Sequence, residues 1–138
     1  MESKITSFET ACKFLKKDAN KLPIVKGLDK RYQKYLIANY KLAIITEALN
    51  KEYSQQNGLK KTWEPDFTQP NQWKYFPWFE VKADSKRTGG FGFSYTDYDL
   101  WHTFTSVGSR FCFPTSELAI YSGKQFEKLH LENQLILK

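Results

Sequence analysis

Apolar residues recur along the first part of the chain at the three- and four-residue spacing of helices. Phe8, Ala11, Cys12 and Leu15 form one stripe, and Lys13, Lys16 and Lys17 point away from it. Thr6-Ser7-Phe8-Glu9 has the form of a capping box, with a Thr hydroxyl accepting from the N–H three residues on and Glu9 reaching back. The pattern predicts a helix over 7–18, apolar on one side and basic on the other. Cys12, within the stripe, reads as core. Pro23 and Gly27 then make 20–28 a connector. Asp29 caps a second helix, predicted over 30–56 and stopped at Asn57-Gly58. Its apolar residues include Tyr32, Tyr35, Leu36, Tyr40, Leu42, Ile44, Ile45 and Leu49, which cover more than one narrow stripe. Such a helix is buried on several sides and forms the spine of a domain.

The period changes after residue 61. Pro65 and Pro70 make 62–72 a loop that Trp63 and Phe67 pin to the body. Tyr75–Lys82 reads as a strand interrupted at Pro77, hence an edge strand or a bulge. After a polar turn, Phe91, Phe93 and Tyr95 alternate with Gly92, Ser94 and Thr96. Trp101–Val107 and Arg110–Phe113 read as further strands joined by Gly108-Ser109. Ser116 then N-caps a helix over 116–135, with Ala119 and Gly123 small enough for close approach to a sheet. The connections between strands are too short for helical crossovers. The expected architecture is a single α+β domain over 1–138. A small antiparallel sheet of about three to four strands, within 74–113, packs against the helices 7–18, 30–56 and 116–135.

Composition changes this picture in two places. Of the 23 Phe, Tyr and Trp residues, 15 fall within 62–113, so the strand region is an aromatic block. Charge is distributed the other way. Residues 1–61 carry 13 Lys/Arg against 6 Asp/Glu, a net +7 that holds all of the excess behind the chain's +6. A localised basic surface attracts polyanions, although lysine is also the ordinary solvent-face residue of helices. Met1-Glu2-Ser3-Lys4 resembles no secretory leader, and no apolar run reaches the roughly 20 residues that span a bilayer. The reading is a cytoplasmic protein with reduced thiols and no membrane partner.

Candidate chemistry is sparse. Cys112 with His102 or His130 is the available nucleophile and base, but Pro114 follows closely and no oxyanion loop is evident. Asp97, Asp99 and His102 would have to converge to hold a metal; a solvated acidic turn is the better reading of them. Gly89-Gly90-Phe91-Gly92-Phe93 opens no helix and lacks a following Lys-Ser/Thr, so it is no phosphate loop. The expectation is a protein that is not an enzyme, without cofactor or metal. Exposed aromatics with nearby cations are the nucleic-acid signal, and Phe91, Phe93 and Tyr95 beside Lys86, Arg87 and Arg110 have that form. The same rings also serve as the core face of the sheet. The candidate binding residues are therefore the helix cations Lys13, Lys16, Lys17, Lys30, Arg31 and Lys34. To these are added the rim of the aromatic block: Trp73, Trp78, Lys86, Arg87, Tyr98, Trp101 and Arg110.

Three motifs carry a resemblance: Tyr75-Phe76-Pro77-Trp78-Phe79, Gly90-Phe91-Gly92-Phe93, and the run from Val107 through Pro114-Thr115-Ser116 to Phe126. Together, over roughly 60–130, they resemble a family of small uncharacterised proteins encoded by tailed phages and prophages. The family has no assigned activity to carry over. The resemblance implies a mobile-element protein in a bacterial host cytoplasm or in a virion. The expected function is non-catalytic binding to nucleic acid or to a protein–nucleic acid complex, with a host protein as a further partner. An inhibitor of a host defence nuclease of the RNA-guided (anti-CRISPR) kind is one concrete form. The alternative is a virion or assembly component acting through protein contacts.

Overall fold

The computed structural model describes residues 2–81, 91–99 and 111–134. Four helices dominate it: α1 (Phe8–Leu15), α2 (Lys30–Gln56), α3 (Ser116–Gln125) and α4 (Glu127–Gln134). Two strands, β1 (Lys74–Val81) and β2 (Phe91–Asp99), pair antiparallel. The molecule is thus mostly helical, and the expected sheet of three to four strands is corrected to a two-stranded ribbon among the described residues. Phe113 contributes one isolated bridge to Tyr75, with N–H···O distances of 3.0 and 2.8 Å, instead of a strand. The cause lies in the next residues. Pro114 has no N–H to extend a ladder, and Thr115 already caps α3. The strand read at Trp101–Val107 lies outside the described residues.

Pro77 sits in β1 opposite Thr96, and the register slips between Trp78 and Phe79. Trp78 pairs with Tyr95 but Phe79 with Phe93, which leaves Ser94 as the extra residue of a bulge. The interruption expected at Pro77 is absent, because β1 runs unbroken through it; the bulge is on the partner strand, at Ser94 of β2.

Helix ends differ from the sequence reading by identifiable chemistry. The cap of α1 is Ser7, not Thr6. Its side chain accepts from the Thr10 N–H at 3.1 Å, and Thr10 Oγ1 accepts from the Ser7 N–H at 2.9 Å, the role expected of Glu9. The helix stops at Leu15 and not at 18, because Lys16 turns left-handed (φ 57°) and the Lys17 N–H closes onto the Cys12 carbonyl at 2.8 Å. That conformation costs a residue with a Cβ about 1 kcal/mol, so nothing in the composition marks the stop. The bounds of α2 agree with expectation. Asp29 accepts from the Arg31 N–H at 2.9 Å, and Gly58 (φ +67°) allows the Leu59 N–H to bond back to Ser54. The single helix expected over 116–135 is two, broken at Phe126, and its cap is Thr115 and not Ser116.

The core gathers around α2. Ile5, Phe8, Ala11 and Cys12 meet Leu42, Ile45, Ala48 and Leu49 on one side, and Phe113, Leu118, Ala119 and Phe126 complete the cluster. Full burial of each large side chain is worth roughly 1.5–3 kcal/mol, so this cluster is the main stabiliser. The N-terminal segment is strapped on by polar contacts. The buried Glu52 carboxylate accepts from Ser3 Oγ at 2.6 Å and from the Lys4 N–H at 3.0 Å. Tyr121 donates to the Ile5 carbonyl at 2.6 Å and Gln125 to that of Thr6 at 2.9 Å. Phe8 lies against Tyr40 and under Lys41, while Phe14 lies under Lys51. So α1 runs parallel to α2. On another side Asn39 donates to Asn133 at 3.0 Å, and α4 packs along α2.

Candidate functional site

The core stripe of α2 runs on past its fully buried residues. Leu49, Ile45, Leu42 and Ala38 are fully buried and spaced by three or four residues. The stripe continues through Tyr35, Tyr32 and, just before the helix, Leu28, but these three are exposed. The connector adds Leu22 and Ile24, the latter 92% exposed. Leaving a large aliphatic side chain in water forgoes roughly 1.5–3 kcal/mol, and five apolar residues clustered within 22–35 are no random scatter. Sequence reasoning placed Tyr32 and Tyr35 in the core, and the structure corrects this. Their helical spacing is that of the core stripe. Where the rest of the chain stops covering the helix is a tertiary fact that no period records.

Cations are interleaved with this apolar tip. Lys30, Arg31 and Lys34 are exposed on the first two turns of α2, and Lys21 and Lys26 are exposed on the connector. Lys30 and Lys34 share one side of the helix, adjacent to the tyrosine stripe. The Arg31 guanidinium lies 5.3 Å from the centre of the Tyr32 ring. Asp29 is the acid within this stretch, and its carboxylate is taken up in capping. Such a tip presents aromatic faces and cations together.

The other predicted cations are elsewhere. Lys13, Lys16 and Lys17 are exposed on and just after α1. Because Phe14 sits at the level of Lys51, they lie towards the opposite end of α2, about 30 Å from Lys30 at 1.5 Å per residue. The two basic sets do not form one patch. Trp73 and Trp78 are exposed, as the rim reading expected. Tyr98 pairs with Tyr75 in the ribbon. Lys86, Arg87, Trp101 and Arg110 lie outside the described residues.

Two of the candidate catalytic groups, Cys112 and His130, are buried. Cys112 is fully buried, and burial pushes its thiol up to about 12, the opposite of an activated nucleophile. His130 is buried away from solvent, with Nε2 3.2 Å from Ser122 Oγ and its ring 4.9 Å from that of Phe79. Burial pushes the imidazole down to about 4. A serine next to a neutral histidine has the outline of a nucleophile and base, but Ser122 is also fully buried, so no substrate reaches it. Asp97 and Asp99 stand opposite Phe76 and Lys74 in the ribbon, and His102 lies outside the described residues. Among the described residues no three His, Cys, Asp or Glu side chains cluster.

One fully buried cation went unnoticed in the sequence. Lys74 Nζ donates to the Gln72 carbonyl at 3.0 Å and lies 5.2 Å from the centre of the Phe67 ring. No described helix is long and apolar enough to cross a membrane. No family model, no curated protein and no solved structure matches this chain.

Proposed function

We propose that this chain is a non-catalytic binding protein of a phage or other mobile element, and that its target is nucleic acid or a nucleoprotein complex in the host cell. The reading rests on one observation: the apolar stripe of α2 runs beyond the body as exposed Tyr32, Tyr35 and Leu28, interleaved with Lys30, Arg31 and Lys34. Tyrosine faces accept unpaired bases and the cations neutralise phosphates. Inhibition of a host defence nuclease is the concrete form we favour, because occupying a nucleic-acid groove needs affinity and no chemistry.

The test is fluorescence anisotropy with a single-stranded oligonucleotide over a salt series. Charge reversal of Lys30, Arg31 and Lys34 is expected to lower the slope of log K against log salt by roughly 2, at about 0.7 per phosphate neutralised. Tyr32→Ala with Tyr35→Ala should weaken binding at every salt concentration, by roughly 1–3 kcal/mol per stacked base. Both sets are exposed, so circular dichroism should be unchanged. Affinity and slope untouched by charge reversal would remove the proposal.

The exposed Leu22 and Ile24 favour a second reading, a virion or assembly part that docks on protein through this tip. Self-association that rises with concentration and ignores salt would mark that case.

A further inference from the structure

A second feature, separate from the α2 tip, is a groove of about 440 Å³ between the middle of α2 and the 62–67 loop. Thr46, Glu47 and Asn50 line it from the helix, and Trp63, Glu64 and Phe67 from the loop. The loop is held by its own hydrogen bonds, so the groove is preformed. The Trp63 N–H donates to Ser54 Oγ at 2.7 Å, Gln72 donates to the Glu64 carbonyl at 3.0 Å, and the Asp66 N–H donates to Gln72 Oε1 at 2.6 Å.

Asn50 is the anomaly. It is only 4% exposed, and its Nδ2 donates to the Cys112 carbonyl at 3.0 Å. Its Oδ1 is buried without a hydrogen-bond partner among the described residues. Turning the amide over would set oxygen against the Cys112 carbonyl oxygen, so the orientation is fixed and the orphan is an acceptor. Buried acceptors are nearly always satisfied, and one that is not, on a residue that lines a groove, asks for a donor.

The rest of the lining states what kind of donor. Glu47 and Glu64 are exposed carboxylates, and among the described residues no Lys or Arg lines the groove. Trp63 offers an aromatic face; Phe67 already carries the Lys74 ammonium near its ring. Carboxylates, an amide oxygen and an indole together select a positive group that bears N–H bonds. We propose that this groove binds an organic cation, with its guanidinium or ammonium N–H donating to Asn50 Oδ1 and its charge set between Glu47 and Glu64.

Isothermal titration calorimetry with agmatine tests this, with uncharged butylurea as the control of similar shape. Agmatine is expected to bind, and Glu47→Gln with Glu64→Gln to weaken it at least tenfold; both positions are exposed, so folding is not at stake. Asn50→Leu should remove the remaining affinity. An acetylated and amidated Gly-Arg-Gly peptide distinguishes the source. Tighter binding of agmatine indicates a free amine, and tighter binding of the peptide indicates an arginine side chain of a partner; either supports a cation site. No heat with agmatine or with the peptide, butylurea binding as well as agmatine, or an unchanged Kd in the double glutamine variant would overturn it.

Discussion

His130 is the residue whose chemistry is most sharply set by the fold. It is held neutral between Ser122 and Phe79, and its pKa falls from 6.5 to about 4 because burial opposes the charged ring. The unfolded chain binds the proton more readily than the folded one. Above pH 6.5 both states are neutral and nothing is lost. As pH falls from 6.5 towards 4 the unfolded state gains protons alone, and stability drops by about 3 kcal/mol, at 1.36 kcal/mol per pK unit. Urea denaturation at intervals from pH 7.5 to 4 should show that loss. Carboxylates titrate in the same range, so the comparison is with His130→Gln, which keeps a neutral polar group beside Ser122. The wild type should lose more stability than the variant over that interval; equal losses would refute the assignment. None of this was legible in the sequence, where a histidine on a helix fits the surface as well as the core.

At the scale of elements, legibility followed the local signals. The bounds of α2 were readable because Asp29 and Gly58 both act within a few residues of the ends they set. The stop of α1 was not, since Lys16 adopts a left-handed conformation without being glycine. The break at Phe126 was not either: it has no glycine or proline, and it is fixed by Phe126 entering the core while His130 reaches Ser122. The aromatic alternation suggested more strands than the described ribbon holds, because a period of two does not say how many partners a strand finds. The same limit hid the α2 tip, whose residues have core spacing and are nevertheless exposed. Lys30, Arg31, Tyr32, Lys34 and Tyr35 of its first two turns are all exposed, and a thinly packed helical end is marginal in water. Hydrogen exchange should show it. Amides of 30–37 are expected to exchange at least about a hundredfold faster than those of 42–50, which sit in the core cluster. Uniform protection along α2 would mean that the tip is covered, and would exclude it as a contact surface. Slowing of 30–37 alone on adding the target would locate the contact there.

For the whole molecule, the net charge of +6 describes two separate basic ends more than a single basic face. Lys30, Arg31 and Lys34 stand at one end of α2, and Lys13, Lys16 and Lys17 towards the other, about 30 Å away. A charge that far from a bound ligand is beyond the Debye length of about 8 Å at physiological salt, so it contributes only if the ligand reaches it. Phosphates advance 3.4 Å per base step along each strand of a duplex, so roughly nine base pairs span the two ends. This separates the ends by experiment. With a duplex of six base pairs, charge reversal of Lys13, Lys16 and Lys17 should leave affinity nearly unchanged, whereas reversal of the α2 set should abolish it. With twenty base pairs, reversal of either set should lower the salt slope, by about 0.9 for each phosphate that is no longer neutralised. If the α1 set matters as much for six base pairs as for twenty, the ends are closer in solution than α2 holds them. If it matters for neither, those lysines serve solubility, and recognition belongs to the α2 tip alone.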